Sequence, residues 1–410
     1  MTFPAAMAAL AVVACGSSGS TGACSPAASC ADASVEAAIA VDASAEDAAL
    51  DAPFQAAPAL DAASDHASGG ASVAVDAACA ANLQTDPNNC GACQHGCLGG
   101  ACVGGACQPV LLAQGQYPYW LAVDSTSIYW TDNHDQLVLK CPLSGCPTAA
   151  DGGSAPTTIA SGITDPRAIA VGAGGVYWID QVDGAVLTCP LAGCGSAAPK
   201  VLVSGQSWPA AVAVNARGVY FVDRSAGTVN ECPLAGCPAG VDGGSVVTRV
   251  ASAYAPITLA LDATNVYFTD VGDGSNTNGG VFKCALAGCA SATPVAQGIV
   301  APVRTAINAT SVIFLDGSTD VLECSLSGCG TSPYVLATES TLRPFDVVAD
   351  DANAYWGRND GTLVRCAVNG GCNGKPVTVV KGPPSPAPMA IDSVAVYWGT
   401  LAGDLVKVAK

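Results

Sequence analysis

Short apolar runs and turn-forming residues alternate along residues 109–410 in one repeating order, and every cycle holds an aromatic-containing pair inside an apolar run. The pairs are Tyr129-Trp130, Tyr177-Trp178, Tyr220-Phe221, Tyr267-Phe268, Ile313-Phe314, Tyr355-Trp356 and Tyr397-Trp398, at intervals of 42 to 48 residues. A self-similar unit of this length is one four-stranded propeller blade. In each unit a first apolar run, such as Ile169-Ala170-Val171, stops at a turn residue five positions before the aromatic: Asp124, Gly172, Asn215, Asp262, Asn308, Asp350 or Asp392. The aromatic strand follows, then a turn signal such as Asp183-Gly184 or Asp360-Gly361, which predicts a two-residue type I′ hairpin. A third strand runs into a Cys, a second Cys follows after a short gap, and a fourth strand reads like Lys200–Gly205 or Pro294–Gly298.

The seventh unit has no fourth strand of its own, whereas Pro109–Gly115 has the fourth-strand pattern and precedes the first unit. The expected fold is therefore all-β: a seven-bladed β-propeller over residues 109–410, closed by an N-terminal strand pairing beside the strand that reaches Lys407. Closure of this kind removes the unpaired sheet edge.

The residues that carry the repeat also carry a resemblance. Tyr129-Trp130-Thr131-Asp132 is similar to the YWTD repeat of low-density-lipoprotein-receptor-type propellers, as are the segments ending at Asp180, Asp223 and Asp270, with a looser copy ending at Asp316. Units six and seven depart from it, with Arg358 and Thr400 at the Asp position. The receptor propellers have six blades against the seven units counted here, so the resemblance implies fold and not receptor-like ligand binding.

Cysteine usage points to an export pathway. The chain has 21 Cys, an odd number. Val12-Val13-Ala14-Cys15-Gly16 follows an apolar stretch and resembles a bacterial lipobox, in which the Cys is lipidated. Residues 1–15 are thus read as a lipoprotein signal peptide ending at a lipidated Cys15, although they lack the usual basic n-region. Removing Cys15 leaves an even set, and the expected location is the outer membrane or cell surface, reached through a lipid anchor. Residues 16–78 are Ala-, Ser-, Gly- and Asp-rich with no Lys or Arg, a composition that predicts a disordered tether.

The net charge of −18 is incompatible with nucleic acid as a partner. Residues 79–108 contain Cys79, Cys90, Cys93, Cys97, Cys102 and Cys107. Their spacing resembles the small Cys-rich module of plant stigma-specific proteins, which also occurs in exported bacterial lipoproteins. In an oxidising compartment these six Cys read as disulfides that replace a core rather than as a metal site. The pairs Cys141/Cys146, Cys189/Cys194, Cys232/Cys237, Cys284/Cys289, Cys324/Cys329 and Cys366/Cys372 read as hairpin staples, because the intervening residues, often Pro-Leu-Ala-Gly, suit a tight turn.

Catalytic signals are sparse. No nucleophile elbow, phosphate loop or dinucleotide fingerprint is present, and His134 is the propeller's single His. The repeated Asp132, Asp180, Asp223, Asp270 and Asp316 could form a ring of cation ligands, but acceptors for backbone amides at strand ends are the simpler expectation. In unit four the turn expands to Val271–Gly280, where Asp273, Ser275 and Thr277 alternate as calcium ligands do, without the Glu an EF-hand needs. No cofactor is expected, calcium being the only candidate. The expected binding face carries His134, Asp273, Ser275, Asn276 and Asn278. Two functions stand: a monomeric, lipid-anchored envelope protein whose propeller binds a protein or glycan, or a propeller lyase or hydrolase acting on extracellular carbohydrate through Asp and Arg residues.

Overall fold

The computed structural model describes residues 81–410 except 151, 241–243, 246, 274–277, 318, 340 and 383–386. The signal segment with Cys15, the tether, Cys79, Ser275, Asn276 and Thr277 lie outside the described residues. All regular structure is β, with no helix among the described residues.

Seven four-stranded antiparallel sheets form the blades of a propeller. Blade one runs from its inner strand Pro118–Val123 through Ser127–Asp132 and Leu137–Pro142 to the outer strand Thr157–Ser161. Blades two to six repeat this order, and their inner strands are Pro166–Gly172, Pro209–Val214, Pro256–Leu261, Arg304–Ile307 and Pro344–Ala349. Blade seven comprises Met389–Ile391, Ala395–Gly399 and Leu405–Ala409, and takes its outer strand, Val110–Ala113, from before blade one. Val110 pairs with Lys407 and Leu111 with Val406, so the N-terminal strand closes the ring.

The aromatic pairs fill both sides of each blade because successive strand residues point to opposite faces. Tyr129 packs in one cluster with Trp178 of blade two. Trp130 packs in another with Tyr397 of blade seven. The same relation joins Tyr177 to Phe221, Tyr220 to Phe268, Tyr267 to Phe314, Ile313 to Trp356 and Tyr355 to Trp398. The second strands of blades one, two and three are buried along their whole length, which is why they read as continuous apolar runs.

Both two-residue turn assignments are corrected. At Asp360-Gly361, Gly361 donates its N–H to Arg358 O and has φ +84°, Asp360 is not left-handed, and the flanking strands pair as Gly357 with Leu363. The strands flanking Asp183-Gly184 pair as Asp180 with Ala185, leaving four residues in the loop. Gly184 donates its N–H to Gln181 O and has φ +59°, while Asp183 is not left-handed. This is a type I turn followed by a left-handed Gly, the wider hairpin solution. A two-residue turn with both φ positive does occur in blade two, at Ala173-Gly174 between the paired Gly172 and Gly175.

The Cys-rich module carries Cys90–Cys102 and Cys97–Cys107 disulfides, and Cys93 is also disulfide-bonded. These four paired Cys pack in one cluster with Tyr355, Val380 and Trp398, which seats the module on blades six and seven. His95 bridges the contact, with Nδ1 2.5 Å from Cys90 O and Nε2 2.7 Å from Lys410 O.

Candidate functional site

The two ends of the propeller differ in what their residues are committed to. One end, here the hairpin face, carries the turns between inner and second strands and the Cys hairpins. The other, the rim face, carries the turns between second and third strands and the connections from one blade to the next.

On the hairpin face the turn residues repeat one device. Asp124 accepts N–H from Thr126 and Ser127 and the Tyr129 hydroxyl. Asp262 does the same with Thr264, Asn265 and Tyr267, Asp350 with Ala352, Asn353 and Tyr355, and Asp392 with Val394, Ala395 and Tyr397. Burial works to raise the Asp262 pKa, but the bonds from Thr264, Asn265 and Tyr267 outweigh it and lower the value to about 2. Burial together with the carboxylate partner pushes Tyr129 and Tyr267 up to about 12.

The six Cys hairpins are joined within themselves as Cys141–Cys146, Cys189–Cys194, Cys232–Cys237, Cys284–Cys289, Cys324–Cys329 and Cys366–Cys372. They also tie neighbouring blades. Cys146, Cys194, Cys237, Cys289 and Cys329 each donate their N–H to the outer strand of the preceding blade, at Leu112, Ile159, Leu202, Val250 and Val295. The residue before the first Cys reaches the other way: Lys140 Nζ donates to Leu191 O and Lys283 Nζ to Leu326 O, and Glu323 accepts from Asn369 N. Lys407, at the same position in blade seven, donates to Leu143 O across the closure. The hairpin face is thus largely scaffold; a cavity of about 460 Å³ there is lined by Asn215–Arg217, Asp262–Thr264 and Ala285–Ala287.

On the rim face the repeated Asp residues act as amide acceptors. Asp180 accepts from Thr164, Asp165 and Asp183, Asp223 from Ser207, Trp208 and Ala226, and Asp270 from Tyr254, Ala255 and Gly272. Asp132 accepts from Tyr117 and Asp135, and Asp316 from Thr319 and Asp320. In blades one to four these carboxylates join the blade's entry to its own second strand, and Asp316 caps the turn that follows it, so each serves as the acceptor for backbone amides that its place at a strand end predicts. Where blade six has Arg358 in place of Asp, the arrangement inverts: Arg358 Nε and Nη2 donate to Glu339 Oε1, which also accepts from Trp356 Nε1. In blade seven the Thr400 hydroxyl accepts from Asp404 N.

His134 lies on the rim of blade one, its Nδ1 2.8 Å from Asp135 and its ring centroid 4.7 Å from that of Tyr117. Asp132, His134 and Asp135 bring potential ligand atoms within 4.8 Å of each other. Asp273 and Asn278 sit on blade four, where Asn278 Oδ1 accepts the Asp273 N–H. The described members of the sequence-derived face, His134 on blade one and Asp273 with Asn278 on blade four, lie on the rim face but on separate blades.

A more concentrated constellation lies on the axis. A channel of about 310 Å³ runs between the inner strands, and its rim end holds Trp120, Thr258, Arg304 and Asp346. Arg304, from blade five, lies 4.5 Å over the ring of Trp120 from blade one and 3.7 Å from Asp346 of blade six. Asp346 accepts the N–H of Val347 on Oδ1 and of Met389 on Oδ2. Burial raises the Asp346 pKa, against the attraction of Arg304 and these two bonds. Beside them Arg167 of blade two lies 4.5 Å over Tyr119 and 2.8 Å from Asp165. The sequence reading missed these residues individually, though a signal was present. Pro118, Pro166, Pro209, Pro256, Pro302, Pro344 and Pro386 recur at one position of the repeat. Two residues after each Pro come Trp120, Ala168, Ala211, Thr258, Arg304, Asp346 and Pro388. In five inner strands the register shifts just after that Pro, and such a bulge re-aims the side chains next to it.

No protein-family model matches the chain, and no curated protein matches it. Among solved structures it is similar to a catalytically inactive variant of virginiamycin B lyase from Staphylococcus aureus with quinupristin. Identity is 13% and the TM-score 0.53, over 74% of this chain and 99% of that one. It is also similar to BamB from Moraxella catarrhalis, at 12% identity and TM-score 0.47 over 71% and 84% of the two chains. A nidogen/laminin complex follows at 16% identity and TM-score 0.35, over 64% and 78%. The first likeness bears on the fold alone, and the two weaker ones add nothing to it.

Proposed function

We propose that this protein is a non-catalytic binding module, exported and held at the cell envelope by lipid on Cys15, whose rim face engages a protein or glycan. The observation that carries the reading is the unequal commitment of the two faces. The hairpin face is consumed by turn-capping carboxylates and blade-to-blade ties. The rim face, by contrast, exposes Tyr117, Tyr119, Trp208 and Tyr254, together with Val182, Val300 and Leu401. Exposed aromatics gathered at one end of a rigid frame are what a recognition surface requires. The tether supplies reach from the membrane, and the protein acts as a monomer without nucleic acid.

The enzymatic alternative would place its acid at Asp346, whose pKa burial raises against the attraction of Arg304. Both readings are tested by screening the protein against immobilised glycans and purified envelope proteins, with Trp208→Ala and Tyr254→Ala on the rim and Arg217→Ala on the hairpin face. Binding lost in the rim variants and kept in Arg217→Ala is expected. Binding that ignores the rim variants would overturn the reading, and turnover abolished by Asp346→Asn would establish the enzyme instead.

A further inference from the structure

The axial constellation has an uncommon combination of properties. Arg304 and Asp346 are opposite charges held 3.7 Å apart, so the pair as a whole is neutral. The Arg304 guanidinium makes no hydrogen bond to any described residue, although it is fixed against the Trp120 ring. Its side chain is 30% exposed and that of Asp346 14%, so both can be reached from solvent. A guanidinium offers five donors and a carboxylate about four acceptor sites. Val347 and Met389 occupy two of those sites, which leaves donors and acceptors side by side and unspent.

Position within the repeat argues that this chemistry is not there for folding. Blades two and three place Ala168 and Ala211 where blades five and six place Arg304 and Asp346, and both Ala are buried without disturbing the fold. A scaffold that tolerates Ala at this position has no structural need for a partly buried ion pair. Such pairs contribute little to stability once desolvation is counted.

Resting on the reading of the rim as the binding face, we infer that the axial mouth is a saccharide-binding site for a neutral sugar. Adjacent hydroxyls of a pyranose offer paired donors and acceptors at the spacing the Arg304–Asp346 pair leaves open. One hydroxyl accepts from the guanidinium while its neighbour donates to the carboxylate. The apolar C–H face of a sugar stacks on aromatic rings, and the rim face exposes Tyr119, next in sequence to Trp120, together with Trp208 and Tyr254 for further units of a chain. Electrostatics select among sugars as well. The rim turns carry Asp135, Asp183, Asp320, Asp360 and Asp404, so a uronate or sulfated polymer is repelled and a neutral oligosaccharide is not.

The test is isothermal titration of the protein with cello-, xylo-, manno- and chitohexaose, alongside polygalacturonate as the anionic control, followed by chromatography of the sugars after prolonged incubation. Binding of at least one neutral hexaose and none of polygalacturonate is expected, weakened about tenfold or more by Arg304→Met and by Asp346→Asn. Trp208→Ala, on the exposed rim where folding is not at stake, is expected to weaken the hexaose and leave a monosaccharide unaffected. Hexaose binding that survives both axial substitutions, or preference for polygalacturonate, overturns the site. Absence of any saccharide binding, while a protein partner still requires Trp208 and Tyr254, overturns the sugar and leaves the binding-face reading standing. Cleavage of a bound hexaose does the reverse: the site stands and the non-catalytic reading falls.

Discussion

Blade six offers a sharp test of whether the repeat logic governs stability. Glu339 follows the outer strand of blade five at the position where five of the other six blades have Gly115, Gly162, Gly205, Gly298 and Gly382, and blade three has Ala253. Its side chain is 5% exposed and that of Arg358 16% exposed, so Glu339→Gly strands a buried guanidinium. Breaking such a pair from one side costs about 3–5 kcal/mol. The orphaned Trp356 indole adds little, because the Nε1 groups of Trp130, Trp178 and Trp398 are already buried without a partner in blades one, two and seven. The added freedom of Gly contributes roughly 0.5–1 kcal/mol more. Arg358→Asp alone is expected to be comparably harmful, since it sets two carboxylates against each other. Combining the two substitutions rebuilds the arrangement of the other blades, with the new carboxylate placed to accept from the amides of 342 and 343 as Asp223 accepts from Ser207 and Trp208. The double variant is therefore expected to be more stable than either single one, with a coupling of about 3 kcal/mol. Guanidinium unfolding followed by tryptophan fluorescence, without reductant, reads this directly. A loss below about 1 kcal/mol for Glu339→Gly, or a double variant no better than the worse single one, would refute the reasoning.

Burial and a neighbouring carboxylate raise the phenols of Tyr129, Tyr220 and Tyr267 to about 12 from an ordinary 10.0, so the folded state holds these protons more tightly than the unfolded chain. Their stabilisation is complete below pH 10 and is lost as pH rises towards 12; absorbance of phenolate should therefore lag behind that of model tyrosine and appear with unfolding. Deleting residues 109–115 uncovers the edge of Leu405–Ala409, and gel filtration is expected to show oligomers where the intact chain elutes as a monomer. Labelled palmitate should tag the protein and not Cys15→Ser, and non-reducing peptide maps should recover the six hairpin disulfides; free thiols at several of those positions would contradict export.

The blades were legible in the sequence because their determinants are local. Alternation of side chains along a strand makes a two-residue aromatic pair fill two interblade spaces, so Tyr177-Trp178 announces both its neighbours without reference to distant residues. The Cys hairpins close over a separation of 5 or 6 residues, and the closing strand was visible as a pattern on the wrong side of the array. Local rules also failed locally: Asp183-Gly184 looks like a two-residue turn, but the register of the flanking strands, set by packing, leaves four residues in the loop. What the tertiary structure alone decided is the meeting of Trp120, Arg304 and Asp346. The variable position after each repeated Pro could have suggested that blades differ there. It could not say that residues of blades one, five and six touch, because contact across the axis depends on the number of blades and the width of the ring they close, which no segment of chain encodes by itself.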